Sequence, residues 1–220
     1  LNIILLIKKL FLIFIKQFVN VMTIIFLINS KTVNIDKYNI KDIPGSSGRL
    51  DVISRCILAT LIGDEKLEKN VEIWVCLDRY GTFIFKSEFF TYEEFPKNEL
   101  RFTDYFVKLV QANLTSRDLS LNPLSSVKKV PLNLIEAITY FRQLNYNLYI
   151  LSEKGQDFLK FMSGLKEKNN IAFIIGSQED EYLYSKELSA LKIPILSIGT
   201  QSYLASSVIR LMKLHLLSLS

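Results

Sequence analysis

Asn147-Leu148-Tyr149-Ile150-Leu151-Ser152-Glu153-Lys154-Gly155 is an apolar run that breaks off into a polar, glycine-ended loop. The same transition recurs where Ile171–Ile175 meets Gly176-Ser177, and where Ile193–Ile198 meets Gly199-Thr200. The spacing around them predicts helices over Asn133–Leu144, Gln156–Lys166, Asp180–Leu188 and Ser202–Leu217. Short strands alternating with helices imply a mostly parallel sheet, because parallel neighbours need a crossover, and the crossovers cover both faces. Ligands of such sheets lie beyond the carboxyl ends of the strands. Glycine and serine there let a backbone approach a ligand and offer N–H donors. Neither Gly-x-Gly-x-x-Gly nor a Lys-Ser/Thr phosphate loop is present, which argues against a dinucleotide fold and an NTPase.

The first half is organised around Asp42-Ile43-Pro44-Gly45-Ser46-Ser47-Gly48-Arg49-Leu50-Asp51. A buried strand, Thr23–Ile28, precedes this tight loop, and a helix from Gly48 to about Ile62 follows it, with Leu50, Ile53, Ile57 and Leu61 at helical spacing. Val71–Leu77 and Thr82–Phe85 read as strands, Arg101–Ala112 as a helix, and 113–131 as an ordered surface excursion. Arg49, Asp51 and Arg55 sit within two turns of the loop's end. Two permanent cations around a carboxylate suit a site that holds an anion or moves a proton. Asp51 and Arg55, four apart, share a helix face, and the plain alternative is a surface pair worth a few tenths of a kcal/mol.

Composition narrows the partners. An apolar fraction of 49% supports a buried core, and 220 residues suggest one domain. Two cysteines, Cys56 and Cys76, and one histidine, His215, offer neither a disulfide framework nor a metal spacing, which points to a reducing, cytoplasmic setting without metal catalysis. The net charge is +5, but Lys8, Lys9 and Lys16 supply three of those charges, leaving +2 for the rest of the chain. Any basic surface is therefore local. The lysines also interrupt every window of residues 1–21 long enough to span a membrane, and no small-residue cleavage site follows. We read residues 1–21 as an over-extended start ahead of Met22, with an amphipathic membrane anchor as the alternative, and 22–220 as the single domain.

Laid end to end, Met22-Thr23-Ile24-Ile25-Phe26, the Pro44-Gly45 loop, Gly48-Arg49-Leu50-Asp51 with Ser54-Arg55-Cys56, Tyr149-Ile150-Leu151, Phe173-Ile174-Ile175-Gly176 and Ile195 to Ile209 resemble one family. It is the archaeal tRNA (pseudouridine-54 N1)-methyltransferase family, in the SPOUT or trefoil-knot superfamily. The resemblance covers nearly all of 22–220 and is weakest between 78 and 130. It implies an α/β SPOUT-type sheet with a C-terminal trefoil knot, a homodimer, tRNA as partner, and S-adenosyl-L-methionine as cofactor. By position the cofactor residues are Leu151, Gly176, Ser197, Ile198 and Gly199, with Leu204 and Val208 packing from the last helix. Asp51 would orient or accept the N1 proton of pseudouridine, while Arg49 and Arg55 hold base carbonyls or a phosphate. Three departures stand out. Relatives often open the loop after Ile-Ile-Gly with Asp-His, where this chain has Ser177-Gln178. Many carry His-Ala-x-x-Cys, where it has Leu204-Ala205-Ser206-Ser207-Val208. The cysteine of the first loop is Ser47 here. Two further readings follow: a catalytically idle RNA-binding dimer, and a methyltransferase of ribosomal pseudouridine.

Overall fold

The computed structural model describes residues 22–115, 118–165, 170–176 and 183–217. The readings of residues 1–21 as an over-extended start or an anchor therefore lie outside the described residues.

Strand β1 (Thr23–Ser30) is the centre of the sheet, buried along all but its first residue. Its side chains alternate between two cores: Ile24, Phe26 and Ile28 join one, Ile25 and Leu27 the other. This is the signature of a strand covered on both faces. Around it, β2 (Val71–Leu77), β3 (Gly81–Lys86), β4 (Lys128–Val130), β5 (Asn147–Asp157), β6 (Asn170–Ile175) and β7 (Ile195–Ser197) complete a sheet of order β4-β3-β2-β1-β6-β5-β7. The pairs β2–β1, β1–β6, β6–β5 and β5–β7 are parallel. β3 and β4 extend the β2 side antiparallel. The expected mostly parallel α/β sheet is thus what the chain forms.

Helices follow the two cores. The first contains Ile53, Ile57 and Leu61 of α2 (Leu50–Leu61), Phe102 and Phe106 of α3 (Glu99–Thr115), and Ile209, Met212 and Leu216 of α7 (Ala205–Leu217). Phe158, opening α5 (Phe158–Leu165), joins it. The second contains Ala137, Ile138 and Phe141 of α4 (Leu134–Gln143) and Leu188 of α6 (Lys186–Ala190). Asn133 starts α4 with a complete capping box: its side chain accepts from the Glu136 N–H, and Glu136 accepts from the Asn133 N–H.

Several expected boundaries are corrected. The Pro44-Gly45 loop is a turn of helix, α1 (Ile43–Ser46), with Asp42 Oδ1 accepting from the Gly45 N–H at 3.1 Å. β5 does not end at Leu151. It loops out of register after Leu151 and resumes at Gln156, which pairs with Leu196. Gly155 is required by this rejoining and not by a ligand: a Cβ there would stand 2.5 Å from the Leu196 backbone. Helix α5 therefore begins two residues later than predicted, after Asp157, whose Oδ1 accepts from the Leu159 N–H. β7 is shorter than Ile193–Ile198, and α7 begins at Ala205 and not at Ser202. The helix expected over Asp180–Leu188 falls partly on residues 177–182, outside the described residues. Edge strand β4, within the predicted excursion, carries no apolar alternation that announces it.

Candidate active site

Asp51 is placed by a chain of backbone constraints starting at the end of β1. Thr32 Oγ1 donates to the Gly48 carbonyl at 3.0 Å, and the Asn34 N–H donates to the Ser47 carbonyl at 3.1 Å. Gly48, at φ 60°, is held so close that a Cβ would lie 1.8 Å from the Thr32 carbonyl oxygen. No other residue fits there. Ser47 Oγ then accepts from the Leu50 N–H at 3.1 Å and starts α2. The loop–helix junction is thus pinned to the carboxyl end of β1, the neighbour of β6.

Arg49 adopts the left-handed region at φ 68°, ψ 36°, a costly conformation for a non-glycine residue. That turn lets its side chain fold back on Asp51, which spacing alone did not suggest. Its Nε donates to Asp51 Oδ1 at 3.1 Å and its Nη2 to Oδ2 at 3.3 Å. Arg55 Nη2 donates to Oδ2 at 2.8 Å. Arg55 Nε also stands 3.7 Å from Glu99 Oε2, at the start of α3. Asp51 is only 4% exposed, whereas the side chains of Arg49 and Arg55 reach solvent. This is a buried carboxylate gripped by two half-open guanidiniums, not a solvated surface pair. Three of its roughly four acceptor positions are filled, leaving one on Oδ1.

Cys56, the next residue along α2, is fully buried, and burial pushes its thiol up to about 12 against a weaker opposing pull from Arg55. It is a core residue and no nucleophile at neutral pH. Phe102 and Phe106 are fully buried, and Tyr80 is buried with its hydroxyl accepting from the Ile35 N–H at 3.0 Å, so none of the three presents a free ring face to a base. Lys128 and Lys129 lie on edge strand β4.

A second feature lies beyond the carboxyl ends of β5, β6 and β7. A narrow, solvent-open cleft is lined by Leu151, Ser152 and Glu153 after β5, Ile175 and Gly176 after β6, and Leu196, Ile198 and Gly199 at β7. Leu183, Tyr184, Gln201, Ser202, Tyr203, Ala205 and Val208 complete it. The Ser152 and Tyr184 hydroxyls are hydrogen-bonded across its mouth at 2.5 Å. Of the predicted cofactor residues, Leu151, Gly176, Ile198, Gly199 and Val208 line this cleft. Ser197 stands just behind: its Oγ accepts from the Gly199 N–H at 3.1 Å and donates to the Gly199 carbonyl at 2.6 Å, shaping the loop. Leu204 is displaced from expectation. It is 66% exposed and lines another depression together with Arg55. The α7 stretch that follows therefore touches both features, Ala205 and Val208 at the cleft, Ser206 and Ser207 at the depression. Sequence reasoning missed Tyr184 and Tyr203, since no periodicity singles them out.

A mostly parallel α/β sheet thus carries at one end both a half-polar cleft past its strand ends and a guanidinium-gripped carboxylate, an arrangement open to a small molecule and to proton transfer. The family model described as "Putative SAM-dependent RNA methyltransferase" matches residues 22–220, and the chain belongs to that family. It is 26% identical over 190 residues to the tRNA (pseudouridine(54)-N(1))-methyltransferase of Pyrococcus abyssi, covering 81% of this chain and 89% of that protein. The protein of the same name from Thermococcus onnurineus is 23% identical over 194 residues, covering 83% and 91%. Among solved structures, Archaeoglobus fulgidus Nep1 bound to S-adenosylhomocysteine superposes with a TM-score of 0.59 at 18% identity, covering 90% of this chain and 98% of that one. That likeness shows that the two chains share a fold.

The family's cofactor is S-adenosylmethionine, and the lining of the cleft has the mixed apolar and polar chemistry that such a molecule needs. Leu151, Ile175, Leu196 and Ile198 would supply apolar walls to such a molecule, Gly176 and Gly199 close backbone, and Ser152, Glu153 and Gln201 polar partners.

Proposed function

We propose that this chain methylates N1 of pseudouridine at position 54, in the T-loop of tRNA, with S-adenosylmethionine as donor. The observation carrying the reading is that a half-polar cleft and the Arg49–Asp51–Arg55 cluster lie at the same end of one sheet. Family membership and the names of the relatives support the substrate.

Pseudouridine joins its ribose through carbon, so ring N1 is free and protonated. The bound cofactor supplies an electrophilic methyl group on a sulfonium. This chain's residues must orient N1 and take up the proton it loses. Asp51 Oδ1 retains one acceptor position, directed by a carboxylate that Arg49 and Arg55 prevent from rotating. It accepts the N1–H. The outer edges of the two guanidiniums face the pyrimidine carbonyls, where negative charge gathers as the proton leaves. We further propose that the chain works as a homodimer and that its C-terminal segment is threaded as a trefoil knot. Strand β5, inserted between β6 and the later β7, supports the threading.

The residue departures at 177–178 and 204–208 favour testing the idle RNA-binding alternative directly. Calorimetry with S-adenosylmethionine separates them: saturable binding supports the enzyme, and no heat at millimolar ligand supports the idle dimer. Asp51→Asn keeps the shape of the side chain but weakens its hold on a proton. It is expected to reduce methyl transfer by about 10²–10⁴-fold while circular dichroism and cofactor binding stay unchanged. Full activity in that variant removes Asp51 from the reaction.

A further inference from the structure

Three elements enclose a second depression, which shares Arg55 with the Asp51 cluster. Arg55 of α2, Arg210 of α7, Tyr92 and Lys97 from the turn leading into α3, and Glu99 at its start surround an open hollow of about 710 Å³. Its charge is unevenly committed. Glu99, the acid lining it, stands 3.7 Å from Arg55, which is already bonded to Asp51. Among the described residues, Lys97 and Arg210 have no carboxylate within ion-pair distance. Both are exposed. Lys97 Nζ is seated over the Tyr92 ring, 4.1 Å from its centroid, which restricts where the ammonium can go. Two uncompensated cations from different elements thus converge on one hollow in a chain whose residues 22–220 carry little net charge.

We propose that this hollow binds the RNA backbone next to the target nucleotide, with Arg210 and Lys97 contacting consecutive phosphates. The inference rests on the methyltransferase reading above. Arg55 belongs to both places: one edge holds Asp51, the other lines the hollow. A nucleotide presented to Asp51 therefore has its neighbouring phosphodiester directed between Arg55 and Arg210. A lysine fixed over an aromatic ring and an arginine on a rigid helix hold phosphates without reading bases, which positions a strand and leaves choice of sequence elsewhere.

The test uses the full chain and a synthetic T-arm hairpin containing pseudouridine, titrated by fluorescence anisotropy across a salt series. Arg210→Ala and Lys97→Ala, neither of which lines the cofactor cleft, are expected to weaken hairpin binding by about threefold to tenfold. Each should also flatten the log Kobs against log salt slope by about 0.7–0.9, the signature of one lost phosphate contact. Affinity for S-adenosylmethionine should not change. Wild-type affinity and slope in both variants overturn the proposal. So does a shift of either variant from dimer to monomer in sedimentation, which would make the hollow a subunit contact. Methyl transfer by the wild-type chain is measured in parallel. If it is absent while the slopes still fall, the enzyme reading fails and the phosphate site stands.

Discussion

At the scale of single residues, the account depends on positions where backbone and charge leave no freedom. Gly48 is one. Its positive φ and the Thr32 carbonyl against it exclude any side chain. Gly48→Ala is expected to lower stability by more than the ~1–2 kcal/mol of left-handed strain alone, and to displace Asp51 from its arginines. Urea denaturation measures the first effect, and loss of methyl transfer in the surviving folded fraction the second. Arg49 is another such position. The left-handed turn that brings it onto Asp51 follows contacts of Ser47 and Gly48 with Asn34 and Thr32, just past β1, and not propensity. The cysteines make a third case. Burial raises both Cys56 and Cys76 from 9.0 to about 12. The folded thiols stay protonated at pH 8 and should resist iodoacetamide until the chain unfolds. Because the unfolded thiols ionise first, their contribution to stability is complete below pH 9 and is lost as pH rises towards 12. Equal labelling of native and urea-unfolded protein contradicts this.

Among elements, the contact between α2 and α7 matters most, since α2 carries Asp51 and Arg55 while α7 contributes Ala205 and Val208 to the cleft. It is fastened by Lys213, which is 7% exposed. Its Nζ donates to the carbonyls of Ala59, Thr60 and Ile62 at 2.9, 2.8 and 2.9 Å, closing the C-terminal end of α2. Desolvation pulls this ammonium below the usual lysine value, opposed by Glu68, 3.5 Å away. Lys213→Met leaves those carbonyls without a donor and is expected to cost about 1–3 kcal/mol, measured by denaturant unfolding. A variant as stable as wild type would show that the cap contributes nothing net. The sequence patterns that were legible follow the same logic. β1, β2 and β6 are continuous apolar runs, and α2 carries a clean apolar stripe, so burial on one or two faces announced them. β4 and the far half of β5 were not legible: Lys128, Lys129 and Ser152 to Asp157 are polar, and they pair because a neighbouring strand edge is available. Local composition does not record that.

For the whole molecule, strand order decides what can meet. β6 lies beside β1, so the loop after Ile175 and the junction after Ser30 share one edge of the sheet. Resemblance to a family pointed to both parts of the site. Their arrangement around α7, with Leu204 turned to the Arg55 side, needed three-dimensional packing. No helix of the described residues is long and apolar enough to cross a membrane, and the functional surfaces all belong to the 22–220 unit that the family model spans.

The central claim is that a methyl group reaches pseudouridine N1 from a donor held past the ends of β5, β6 and β7. The most direct measurement incubates the chain with isotope-labelled S-adenosylmethionine and tRNA carrying unmethylated pseudouridine at position 54, then digests the RNA for nucleoside mass spectrometry. The account predicts labelled N1-methylpseudouridine, abolished when that one position is uridine. Label appearing in another nucleoside, or in none while the donor demonstrably binds, contradicts it.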